Sequence, residues 1–97
     1  MTRDDVLTRL RAREPELRSL GLGKLYLFGS VARGEANSND VDLLFEIGDA
    51  PHFTLLDQAG ALIALEEILG SPVDLVERKM LHRRIRPKVE ADLVEIF

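Results

Sequence analysis

Residues 40–47 read Asp-Val-Asp-Leu-Leu-Phe-Glu-Ile, and no other stretch limits the fold as tightly. Val41, Leu43, Phe45 and Ile47 alternate with Asp42, Leu44 and Glu46. A period of two is the mark of a strand, whose successive side chains point to opposite faces. A strand with an apolar face needs partner strands to pair with and a layer to bury that face against. Two shorter runs can pair with it. Lys24–Phe28 (Lys-Leu-Tyr-Leu-Phe) and Val73–Val76 (Val-Asp-Leu-Val) are apolar and rich in strand formers.

The covering layer reads as helices. Thr2 with Asp5 three residues on is close to a capping box. Val6, Leu10 and Leu17 follow near helical spacing, so a helix is expected from about 3 to 19, kinked or divided at Pro15 and closed by Gly21 or Gly23. Thr54 with Asp57 opens a second helix, carried by Leu55, Ala59, Leu62, Ile63 and Leu69 and stopped at Gly70. Residues 48–51 read as a turn. Ile85, Val89, Leu93 and Ile96 predict a last helix, which Pro87 requires to start near Arg84. The expected order is α-β-β-α-β-α, an α+β (two-layer α/β) fold with a small mixed sheet of about three strands. Strands one and two are joined too closely for a crossover helix, so they should be antiparallel. The helix between strands two and three permits a parallel pair.

A chain of 97 residues has room for one core, so residues 1–97 are expected to form a single domain. Composition excludes several classes. With 45% hydrophobic and 31% charged residues the chain is not disordered. No apolar run approaches the ~20 residues of a membrane span. The first residues, MTRDDVLTRL, lack the apolar block of a signal peptide. There is no cysteine, hence no disulfide framework and no thiolate site. The expected location is cytoplasmic. Charge is distributed in blocks: ten acidic residues and no Lys or Arg lie from Glu35 to Glu77, whereas residues 78–88 hold six cations. Such blocks suit either a solvated surface or a cation-seeking site with basic groups close by. The basic stretch could meet a phosphate or an acidic partner, or form solvated helix ends. Little aromatic residue is interleaved with it, which disfavours nucleic-acid binding.

Three features carry chemistry. Asp40 and Asp42, two apart on a strand, would present two carboxylates on one face. They could be strand-end residues, but the segment has no local cation to neutralise them, and Mg²⁺ is typically held by one or two carboxylates with phosphate oxygens and waters. Gly29-Ser30 follows a strand directly. It could be a simple turn, or a backbone cradle for phosphate if Ser30 to Arg33 form a helical turn, with Arg33 adding a positive charge. Asp74 lies mid-strand between Val73 and Leu75. It could sit on a solvated edge face, or face the Asp40/Asp42 pair and complete a two-metal site.

The segment Gly29-Ser-Val-Ala-Arg-Gly-Glu-Ala-Asn-Ser-Asn-Asp-Val-Asp-Leu-Leu-Phe-Glu46 resembles the signature of the DNA polymerase β-like nucleotidyltransferase superfamily. Together with Arg33-Gly34, the short length and the closing Val-Asp-Leu-Val-Glu, it is similar to the minimal nucleotidyltransferase branch, the MNT antitoxins paired with HEPN-domain toxins. It differs in having nine residues between Ser30 and Asp40 where ten are commoner, and Asn39 where Ser is usual. The resemblance implies a polymerase β-like fold and transfer of AMP from ATP to a hydroxyl, a tyrosine of the HEPN toxin, within a type VII toxin–antitoxin pair and a hetero-oligomer. It implies that Gly29 and Ser30 contact the triphosphate, with Arg33 nearby. Asp40 and Asp42 would bind Mg²⁺, and Asp74 would complete the metal site and act as base or orient it. The other readings are an antitoxin that acts by contact alone and a nucleotide sensor without catalysis.

Overall fold

The computed structural model describes residues 1–35, 40–49 and 52–97. Four strands form one sheet in the order β3-β2-β1-β4: β1 is Leu22–Phe28, β2 Val41–Ile47, β3 Val73–Glu77 and β4 Val94–Glu95. β1 and β2 pair antiparallel, and β2 and β3 pair parallel, as the connection lengths require. The helices are α1 (Arg3–Arg11), α2 (Glu14–Ser19), α3 (Gly29–Ala32), α4 (Leu55–Leu69) and α5 (Arg86–Ala91), and a 3₁₀ turn spans Arg78–Met80.

The sheet is covered on both faces. On one, Leu25, Leu27, Val41, Leu43, Phe45 and Leu75 pack with Val6 and Leu10 of α1, Leu17 of α2 and Ala61, Leu65 and Leu69 of α4. On the other, Leu44, Leu81 and Val89 form a smaller cluster with Tyr26, Phe28, Val76 and Leu93. This second cluster explains Leu44, an apolar residue on the strand face that the alternation assigns to Asp42 and Glu46. Each of these buried leucines contributes roughly 1.5–3 kcal/mol by removal from water.

Local signals are realised where side chains can act on their own backbone. Thr2 with Asp5 and Thr54 with Asp57 both make complete capping boxes, and Gly70, at φ +65°, ends α4. Pro15 divides the first helix instead of kinking it: α1 ends at Arg11, and Pro15 sits in the first turn of α2, where its missing N–H costs nothing. The expected turn at residues 48–51 falls partly outside the described residues.

Two expectations are corrected. The sheet has four strands rather than about three, and the last helix, which starts close to the expected Arg84, stops short of Ile96. α5 begins at Arg86 and ends at Ala91, after which β4 pairs antiparallel with β1 through Tyr26–Glu95 and Leu27–Val94. The cause is the open edge of β1. Its backbone groups need partners, and Leu25 N–H donates to the Phe97 carbonyl while its own carbonyl accepts from Ile96 N–H. Ile96 and Phe97 then enter the main core, and Arg11 donates to the carbonyls of Glu95 and Ile96.

Candidate active site

The second face of the sheet reads in rows across β1, β2 and β3. One row is Phe28, Asp42 and Asp74, and the next is Tyr26, Leu44 and Val76. Asp42 and Asp74 are register partners on adjacent parallel strands. Neighbouring strands run about 4.8 Å apart, so both carboxylates rise from the same end of one face. Asp42 is half-buried and Asp74 exposed. Asp40 stands one residue before β2, in a bend, so it is not an in-strand neighbour of Asp42.

Gly29 begins α3 directly after Phe28, with φ +76°. A Cβ built on it would overlap Oδ2 of Asp42 and lie 3.1 Å from its Cγ. The glycine therefore serves two ends. It lets the chain turn from β1 into a helical turn, and it brings backbone directly against the Asp42 carboxylate. The turn closes when Arg33 N–H donates to the Gly29 carbonyl and Glu35 N–H to the Ser30 carbonyl. The first N–H groups of a helical turn point outward from its start.

Electrostatics mark the same spot. The carboxyl of Asp42 is pushed above its ordinary value, first by burial and then by the charges of Asp74 and Asp40, with Arg33 pulling it down. Arg33 lies close enough to be felt, but its guanidinium is held elsewhere. Nε donates to Glu35 at 2.9 Å and Nη1 to Asp92 at 2.6 Å, and these carboxylates raise its pKa further. Asp92 follows α5, and no sequence pattern links it to Arg33; only the fold brings them together.

The structure thus gathers Gly29, Asp42 and Asp74 tightly, with Ser30 in the adjoining turn, Asp40 at the bend and Arg33 paired at the margin. Among the described residues no three His, Asp or Glu side chains stand as a group that could hold a metal ion. The Asp42/Asp74 pair does suit Mg²⁺, which takes hard oxygen ligands and is often bound by two carboxylates with the remainder from phosphate and water. Like charges placed side by side raise each other's pKa, and a cation relieves this. The site is open. A cleft of about 510 Å³ lies between the N-terminus and Arg33–Glu35, and none of the three aspartates lines it.

The basic stretch sits at the other end of the face. Arg78 donates to Glu46 and Glu90 and lies 5.3 Å from the centroid of the Tyr26 ring. Glu46 is four residues along β2 from Asp42, so Arg78 belongs to a separate network.

Residues 5–96 match the nucleotidyltransferase domain family. The chain belongs to that family. Among curated proteins it is 33% identical over 72 residues, 72% of each chain, to a candidate protein adenylyltransferase of Methanocaldococcus jannaschii. Its fold is that of the minimal nucleotidyltransferases. A solved structure of one candidate minimal nucleotidyltransferase is 38% identical, with a TM-score of 0.71 over 97% of this chain and 95% of that one. A second solved structure contains a tri-AMPylated Shewanella oneidensis HEPN toxin in complex with its MNT antitoxin; it aligns with a TM-score of 0.64 at 21% identity, over 90% of this chain and 68% of that one, a likeness of fold. No helix among the described residues is long and apolar enough to cross a membrane.

Proposed function

We propose that this nucleotidyltransferase transfers AMP from ATP, with Mg²⁺, to a hydroxyl of a HEPN-type toxin, a tyrosine in the first instance, and is the antitoxin of that pair. The observation that carries the reading is the pairing of Asp42 with Asp74, against a glycine that leaves backbone in contact with the Asp42 carboxylate. The AMPylated toxin bound by an antitoxin of the same fold supports the choice of acceptor.

The roles follow from position. The turn at Gly29 and Ser30 cradles the triphosphate through its N–H groups. Asp42 and Asp74 would hold Mg²⁺, with Asp40 at the adjoining bend adding negative charge. Bound there, Mg²⁺ would supply charge neutralisation of the phosphates and activation of the attacking hydroxyl. The hydroxyl oxygen bonds to the α-phosphorus of ATP, the bond from that phosphorus to the bridging oxygen breaks, and pyrophosphate departs. Asp74, the exposed member of the pair, takes the hydroxyl proton or orients the group that does. Because the site is open, the acceptor must be aligned by its own docking, and alignment supplies several kcal/mol of acceleration.

ATP labelled separately at its α- and γ-phosphates tests this. With Mg²⁺ and the partner, the α-label should enter protein and the γ-label should leave as pyrophosphate. Incorporation of γ-label would mean phosphoryl transfer, and no incorporation with intact partner binding would leave neutralisation by contact.

A further inference from the structure

Helix α4 is rich in apolar residues on every side, yet only one side is covered. Ala61, Leu65 and Leu69 are buried, whereas Leu55, Leu56 and Ile63 are 84%, 79% and 58% exposed. A helix that is apolar all round normally has packing all round. At 3.6 residues per turn Leu56, Ala59, Gly60 and Ile63 share one outward stripe, with Leu55 beside it. Gly60 stands at its centre. A glycine inside a helix weakens it relative to alanine, and here a Cβ would meet nothing within 4 Å. Among the described residues nothing calls for that glycine; close approach of a backbone from outside would.

The charges of α4 select what could cover it. They are Asp57, Glu66 and Glu67, with no Lys or Arg on the helix. Asp57 is held in the capping box, Glu66 accepts from Val73 N–H, and Arg9 donates to the last carbonyl, that of Leu69. A second copy of this chain would set one acidic helix against another. We propose that the α4 stripe is a docking surface for an amphipathic helix of the partner protein, with Lys or Arg flanking its apolar face and its backbone crossing at Gly60. The inference rests on the partner reading above. The α4 layer covers the sheet face opposite Asp42 and Asp74, so a helix held there leaves the carboxylates open to ATP, and holding the partner is separable from modifying it.

The test uses the full chain and the HEPN-domain protein of the source organism, co-expressed and then titrated as purified proteins. Leu56→Glu with Ile63→Glu should weaken the complex at least tenfold while Mg-ATP binding and the melting temperature stay near wild type. Gly60→Leu should raise the melting temperature yet weaken the complex, since it strengthens the helix and blocks the close crossing. Glu67→Lys should weaken it in a way that fades with added salt. Unchanged dissociation constants in the first two variants overturn the surface. A wild-type dimer that Leu56→Glu separates would show that a second copy covers it, and overturns the inference too. A wild-type chain that binds Mg-ATP but forms no complex refutes the partner reading itself and this surface with it.

Discussion

Replacing Gly29 with alanine tests the site through a single methyl group. Gly29 has φ +76°, a conformation that costs an L-residue roughly 1–2 kcal/mol. The new Cβ would also collide with Oδ2 of Asp42, so that carboxylate must rotate away or the end of β1 must shift. Gly34 provides the control. It has the same φ of +76°, but among the described residues a Cβ there meets nothing within 4 Å. Both variants should therefore lose about 1–2 kcal/mol from backbone strain, which in a domain this size lowers Tm by about 4–16 °C. Only Gly29→Ala should suffer the added collision, bringing its loss to roughly 2–3 kcal/mol. Thermal unfolding and Mg-ATP titration of both proteins give the comparison. Gly29→Ala should be the less stable and should lose Mg-ATP affinity at temperatures where it is still folded. Equal Tm values and equal affinities for the two variants would refute the argument that Gly29 exists to admit the Asp42 carboxylate.

Other consequences concern charge and caps. Asp42 is held above its ordinary value, so the native state binds its proton more tightly than the unfolded chain does. Stability contributed by this group therefore falls as pH rises from near 3.8 through the raised native value. In EDTA, Asp42→Asn should be the more stable protein at pH 7, with the advantage shrinking below that window; adding Mg²⁺ should stabilise wild type and leave the variant unmoved. Thr54→Ala removes the side-chain acceptor of the α4 capping box and should cost about 1 kcal/mol, read as a Tm drop of roughly 4–8 °C with nucleotide binding intact. Arg78→Ala should cost about 1 kcal/mol through the Tyr26 ring and two partly exposed ion pairs. Because it lies away from the Asp42 row, Mg-ATP affinity measured by calorimetry should not change.

The parts of this molecule that were legible in its sequence are those governed by near neighbours. Alternation from Val41 to Ile47 fixes a strand, Thr54 and Asp57 fix a helix start, and connection lengths fix which strand pairs are parallel. The facing of Asp42 and Asp74 follows from the same logic, since both stand near the starts of parallel neighbours joined by one helix. What escaped depends on distant partners. Val94 and Glu95 are strand only because the edge of β1 is bare, and the preceding helix pattern of Ile85, Val89 and Leu93 masks them. The run Leu93-Val-Glu-Ile-Phe97 is apolar around one Glu, a signal too short to outweigh helical spacing. Asp92 meets Arg33 across 59 positions of sequence, a contact that no local pattern carries. The six cations of residues 78–88 looked like one patch, yet Arg78 is held by Glu46 and Glu90, and Arg86 donates to the Leu81 carbonyl.

AMP transfer to a partner protein, as proposed, should need both Asp42 and Asp74. Intact-mass spectrometry of the HEPN-domain partner, after incubation with ATP, Mg²⁺ and this chain, addresses it most directly. The account predicts mass increments of whole adenylyl groups with wild type, mapping to tyrosine, and none with Asp42→Asn or Asp74→Asn, although both variants still fold and bind the partner. Increments at the wild-type rate from either variant, or an unmodified partner in a stable complex with wild-type chain and Mg-ATP, would contradict it.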